Sequence, residues 1–110
     1  MKEIYELTSM DMVDSFIQQH NLTFLYVSRQ ECSVCHALLP KIRELLQPYP
    51  SIALGHIDAN QVEEVASKFL IFTVPIMLVL VEQKEVVRAD RFVRLDRLAE
   101  QLEQIYSSYA

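Results

Sequence analysis

Apolar and polar positions along this chain follow two rhythms, one with the period of a strand and one with that of a helix. Residues 3–7 favour a short first strand through Ile4 and Tyr5. Thr8 or Ser9 then offers an N-cap, and Asp11 falls in the first turn, where negative charge suits the helix dipole. Met10, Val13, Phe16 and Ile17 recur at helical spacing and predict a helix to about His20, ended by Asn21. Leu22–Ser28 is apolar on both faces, as a central strand covered by helices should be. After the polar loop Arg29-Gln30-Glu31, the residues Val34, Leu38, Leu39, Ile42, Leu45 and Leu46 mark one side of a second helix. Pro40 lies inside that pattern and should kink it, and Pro48 and Pro50 stop it.

Ile52–Asp58 reads as the next strand, followed by a helix with Val62, Val65, Ala66 and Phe69 facing inward and Asp58 or Asn60 as its cap. Ile76–Val81 is an unbroken apolar strand. Residues 82–85 predict a turn, though none is the glycine or asparagine that suits a tight hairpin. Residues 86–92 then predict an edge strand whose Arg88, Asp90 and Arg91 discourage edge pairing. Leu95, Leu98, Leu102, Ile105 and Tyr106 mark a last helix, with a solvated face carrying Arg97 and Glu100. The order βαβαβαββα predicts an α/β fold: a central mixed sheet with helices on both faces, in a single domain over residues 1–110.

Composition narrows the function. The net charge is −5 and no basic stripe is present, which argues against nucleic-acid binding. No apolar run reaches the length of a membrane span. The N-terminus is charged early and lacks the apolar segment of a signal peptide, so the expected location is cytoplasmic. The two cysteines, Cys32 and Cys35, stand two residues apart. In a reducing compartment such a pair is seldom a structural disulfide, and catalysis, redox sensing or metal binding is expected instead.

The pair falls between a strand and a helix, at the carboxyl end of the strand, where sites collect in open sheets of this kind. A helix starting at Cys32 or Ser33 points free N–H groups at the Cys32 sulfur and favours its thiolate, the nucleophile of disulfide exchange. Cys35 lies one turn deeper on the same side and can resolve the mixed disulfide. Downstream, a cis bond before Pro75 would turn the Val74 backbone toward the cysteines, where it could pair with an extended substrate segment. Other readings stay open from the residues alone. The cysteines can be small residues that merely pack near a helix start. Cys32-Ser33-Val34-Cys35-His36 matches a haem-attachment pattern, although it sits in an α/β context with no export signal. Zinc wants about four ligands, more than this local spacing supplies. His20 and His56 read as structural or surface residues, and Tyr26 as a central-strand residue whose hydroxyl needs a partner if buried. Phe72, Val74 and Phe92, if exposed around Cys32, would form an apolar groove.

These features together resemble the thioredoxin family over about residues 3–108: Cys-x-x-Cys after an apolar strand, Pro40 in the following helix, the Lys68-Phe69 to Val74-Pro75 segment, and a terminal strand-strand-helix. The resemblance implies a thioredoxin-like fold, Cys32 as nucleophile, Cys35 as resolving thiol and Pro75 as the cis-proline. It also implies a thiol-disulfide oxidoreductase that reduces protein disulfides in redox homeostasis. Such an enzyme needs no bound cofactor or metal, and its electrons come from a separate reductase or a small thiol. The sequence departs from the family pattern in places. Glu31-Cys32-Ser33-Val34-Cys35 replaces Trp-Cys-Gly-Pro-Cys, and Tyr26 stands where a buried aspartate moves protons. Lys84 stands at the hairpin glycine, and Phe92 at a groove glycine. Glu31 should work against the Cys32 thiolate, and His36 should favour it. A scaffold that has lost turnover and serves as a binding or adaptor module, or as a redox sensor, remains the alternative.

Overall fold

Five strands form one sheet in the order β1 (Ile4–Glu6), β3 (Ile52–Asp58), β2 (Leu22–Ser28), β4 (Ile76–Val81), β5 (Lys84–Ala89). Strands β1, β3 and β2 run parallel, β4 is antiparallel to β2, and β5 is antiparallel to β4. The computed structural model describes residues 1–109. Its elements in chain order are β1 (Ile4–Glu6), α1 (Met10–Gln19), β2 (Leu22–Ser28), α2 (Ser33–Leu45) and β3 (Ile52–Asp58). These are followed by α3 (Glu64–Lys68), β4 (Ile76–Val81), β5 (Lys84–Ala89) and α4 (Leu95–Tyr109). The mixed sheet flanked by helices is the architecture expected from the apolar pattern.

Every residue of β2 is buried, which follows from its central place between β3 and β4 and from cover on both faces. Side chains alternate across the sheet, so Phe24, Tyr26 and Ser28 share one face and Leu25 and Val27 the other. The first face is covered by α2, since the Tyr26 hydroxyl donates to the backbone carbonyl of Cys35. The opposite face is covered by α1. There the one glycine, Gly55, makes room: a Cβ at this position would lie 2.7 Å from Leu7 Cδ1 and 2.8 Å from Phe16 Cε2. The first turn of α1 is closed by Ser9, whose hydroxyl accepts from the Met12 amide. At the far end, α4 returns to the loop after α2, where Glu103 accepts from the Tyr49 hydroxyl and Tyr106 packs on the Tyr49 ring.

Several local expectations are corrected. The α3 helix is a single short turn from Glu64 to Lys68, and Val62 is buried in the segment before it. Asp58 does not cap it; its carboxylate accepts instead from the Asn60 amide in a local turn. Between β4 and β5 the turn has only two residues, Glu82 and Gln83, with φ of 48° and 73°. Both are in the left-handed region that a two-residue hairpin requires, although neither is glycine or asparagine. The position where a glycine would relieve strain is therefore Gln83, and Lys84 already begins β5. The edge strand ends at Ala89 and not at Phe92, so Arg91 and Phe92 lie beyond it, and a bulge interrupts its pairing with β4 between Val79 and Leu80. The last concerns Arg88. It is engaged rather than free on the edge, pairing with Glu85 and donating to the carbonyls of Phe69 and Leu70. This fastens the connector that carries Phe72 and Val74 to the end of the sheet.

Candidate active site

The site is assembled where β2 ends and β4 begins. Val27 pairs with Ile76 in register, so the segments after Ser28 and before Ile76 emerge at the same edge of the fold. A turn closed by the Cys32 amide on the Arg29 carbonyl, at 3.1 Å, brings the chain round to α2. Cys32 is the N-cap of that helix. Its sulfur accepts from the Cys35 amide at 3.2 Å, taking the place that a serine or aspartate oxygen fills at other helix starts. Cys32 and Cys35 are joined as a disulfide with Cα atoms 5.3 Å apart. Cys32 is half-buried, whereas Cys35 is 1% exposed. One sulfur is therefore approachable and the other is not.

Across the opening, the Val74 carbonyl oxygen lies 4.0 Å from Cys32 Sγ. The peptide between Val74 and Pro75 is cis. Cys32, Ser33, Val34, Phe72 and Val74 line an open cleft of about 500 Å³. Phe72 is 85% exposed and Val34 39% exposed, while Phe92, nearby in sequence to the cleft residue Arg91, is 82% exposed. The apolar wall expected of Phe72, Val74 and Phe92 is thus made by Phe72 and Val34, since Val74 is buried and Phe92 does not line the cleft. Contiguous exposed apolar surface of this kind marks interaction sites.

The three candidate tuning residues fall in different surroundings. Glu31 lines the cleft, and both of its oxygens accept from the Asn60 side-chain amide at 3.1 and 2.8 Å. That amide holds the Glu31 carboxyl below its ordinary range, so it is ionised at neutral pH. His36 is exposed, and its Nε2 sits 2.7 Å from the Gln30 carbonyl. It borders a separate groove with Leu39 and Pro40. Tyr26 is fully buried behind Cys35, its hydroxyl donating to the Cys35 carbonyl at 2.6 Å. Burial raises the Tyr26 phenol well above its ordinary range, so it remains a protonated donor.

One cluster was not anticipated. Glu6, His56 and Tyr26 form a row across β1, β3 and β2, because His56 is in register with both of the others. His56 Nδ1 lies 2.7 Å from Glu6 Oε2, and its Nε2 lies 2.6 Å from Ser28 Oγ. A polar chain thus runs from the exposed Glu6 to the buried Ser28 on the α2 face. Its members are widely separated in sequence and belong to three strands. Only the β1-β3-β2 order brings them together, and no local spacing signals that order.

A dithiol pair at a helix start, beside the carboxyl end of a central strand in a five-stranded mixed sheet, defines a thiol-disulfide oxidoreductase scaffold. Comparison with known proteins makes the assignment specific: the thioredoxin family model matches residues 4–104, and the chain belongs to that family. It is 44% identical over 109 residues to the thioredoxin-like protein YdfQ of Bacillus subtilis (strain 168), covering 99% of this chain and 97% of the relative. Its fold is similar to that of an N21Q mutant thioredoxin from Halobacterium salinarum NRC-1, with a TM-score of 0.83, 17% identity, and 94% and 91% of the two chains covered. It is also similar to the oxidised thioredoxin of Plasmodium falciparum, with a TM-score of 0.83, 22% identity, and 94% and 99% covered. No helix among the described residues is long and apolar enough to cross a membrane.

Proposed function

We propose that the protein reduces disulfides in other proteins through the Cys32/Cys35 dithiol, in cytoplasmic redox homeostasis. Its electrons come from a separate reductase or a small thiol. The observation that carries this reading is the contrast between a half-buried Cys32 at the mouth of α2 and a Cys35 that is 1% exposed. The amides at the start of α2 favour negative charge on the Cys32 sulfur. That thiolate attacks one sulfur of the substrate disulfide, forming a mixed disulfide and releasing the other substrate sulfur as a thiolate that takes up a proton. Cys35 then gives up its proton and attacks Cys32, closing the internal disulfide and releasing the second substrate thiol. Two electrons pass from the dithiol to the substrate. During these steps the Val74 backbone pairs with an extended substrate segment, a reading supported by its carbonyl oxygen lying 4.0 Å from Cys32 Sγ.

Replacing Cys35 by serine tests this order of events. Reduced Cys35→Ser protein mixed with a disulfide-containing protein such as insulin should accumulate a covalent complex, reversed by dithiothreitol, and approaching one equivalent. The link should map to Cys32. A binding or adaptor module gives no such complex, and its absence in the variant together with inactivity of the wild type removes the reductase reading.

A further inference from the structure

The cleft beside the disulfide carries charge that the exchange reaction itself does not require. Arg29 and Arg91 both line it and come from segments far apart in the chain: Arg29 from the turn into α2, Arg91 from the segment after β5. Among the described residues neither takes part in an ion pair, whereas Arg88 and Arg94 are each matched by a carboxylate. Glu31 is the one acidic residue of the lining, and its carboxylate is already engaged by Asn60. The nearby carboxylate of Asp90 accepts from the Phe92 amide. Asn60 is neutral, so Glu31 keeps its charge and attracts Arg29. The lining holds two cations and one anion, a net of one positive charge in a chain whose net charge is −5. The local sign is opposite to that of the whole protein.

We propose that Arg29 and Arg91 select the substrate: the cleft takes an extended segment in which an acidic residue adjoins the disulfide cysteine and an apolar residue rests on Phe72 and Val34. This proposal rests on the disulfide-reductase reading and adds a specificity to it. The Val74 backbone supplies sequence-independent pairing, the exposed Phe72 ring supplies apolar contact, and the two guanidinium groups supply the discrimination between charges. Each arginine can hold a carboxylate with two parallel hydrogen bonds, which a lysine could not do as well. A segment with a lysine beside its cysteine meets two like charges.

The test uses three disulfide-linked peptide dimers that differ only in the residue flanking cysteine on both sides: Glu, Gln or Lys. Each is reduced by the protein with dithiothreitol as the terminal electron donor, after subtraction of the direct chemical rate. We expect kcat/KM to fall in the order Glu, Gln, Lys, by about tenfold from first to last at low salt. Raising the salt should compress that span. The double variant Arg29→Glu/Arg91→Glu should invert the order. Turnover of all three peptides at equal rates, or an order unchanged in the double variant, overturns the arginine selection while leaving the reductase reading standing. Reduction of none of the peptides, nor of insulin, overturns the reductase reading and the selection with it.

Discussion

Cys32→Ser should abolish disulfide reduction, lowering turnover of insulin on the order of a thousandfold, to the rate of the reductant alone. Two features of the structure make the loss this complete. Cys35 is the other sulfur, and at 1% exposure it cannot be reached by a folded or extended partner. A serine hydroxyl, in turn, cannot form the mixed disulfide on which the exchange depends. The variant should nevertheless fold normally. Cys32 is the N-cap of α2, accepting from the Cys35 amide, and serine is among the best residues in that role. Urea unfolding of the variant should therefore match that of reduced wild type within about 0.5 kcal/mol. Activity within tenfold of wild type would mean that Cys32 is not the attacking group.

The second large effect is on stability. Tyr26→Ala should cost about 3–5 kcal/mol, a substantial part of the 5–15 kcal/mol typical of a domain. The ring is fully buried between the sheet and α2, and its loss leaves a cavity directly behind the disulfide. The hydroxyl adds a smaller part. Pro40 has no N–H, so the His36 carbonyl loses its usual partner within α2, and this stretch of helix is less tightly bonded than its neighbours. The Tyr26 hydroxyl braces the carbonyl just before it, that of Cys35. Tyr26→Phe keeps the ring and should cost only about 1 kcal/mol. Urea denaturation of the two oxidised variants separates the contributions. A loss below about 1 kcal/mol for the alanine variant would show that the site can collapse and that Tyr26 does not support α2.

What could be read from the chain in advance follows a physical division. Elements with a long, regular apolar pattern were legible: β2 and β4 as continuous apolar runs, and α1, α2 and α4 by their helical spacing. The hairpin after β4 was not, because Glu82 and Gln83 adopt left-handed φ without the residues that usually announce it. The short α3 was overestimated because Val62 looks like part of its apolar face but is buried in the segment ahead of it.

The same division runs through the site. The positions of Cys32 and Cys35 follow from short-range spacing after an apolar strand, and that of Val74 from the cis bond expected before Pro75, which the structure contains. Tyr26 was legible as buried, and the structure supplies the partner its hydroxyl needs. His36 looked like a neighbour of the Cys32 sulfur by sequence, but its ring turns to the Gln30 carbonyl. The Glu6–His56–Ser28 chain, and the lining of one cleft by both Arg29 and Arg91, join residues far apart in sequence. Their register becomes visible only once the sheet is assembled.

The unequal access of the two sulfurs is measured most directly by limited alkylation of the reduced protein at neutral pH. A substoichiometric amount of iodoacetamide is added, and the labelled cysteine is located by peptide mass mapping. The structure predicts label on Cys32, with Cys35 modified only after the protein is unfolded. Equal labelling of the two cysteines, or label on Cys35 first, would contradict it.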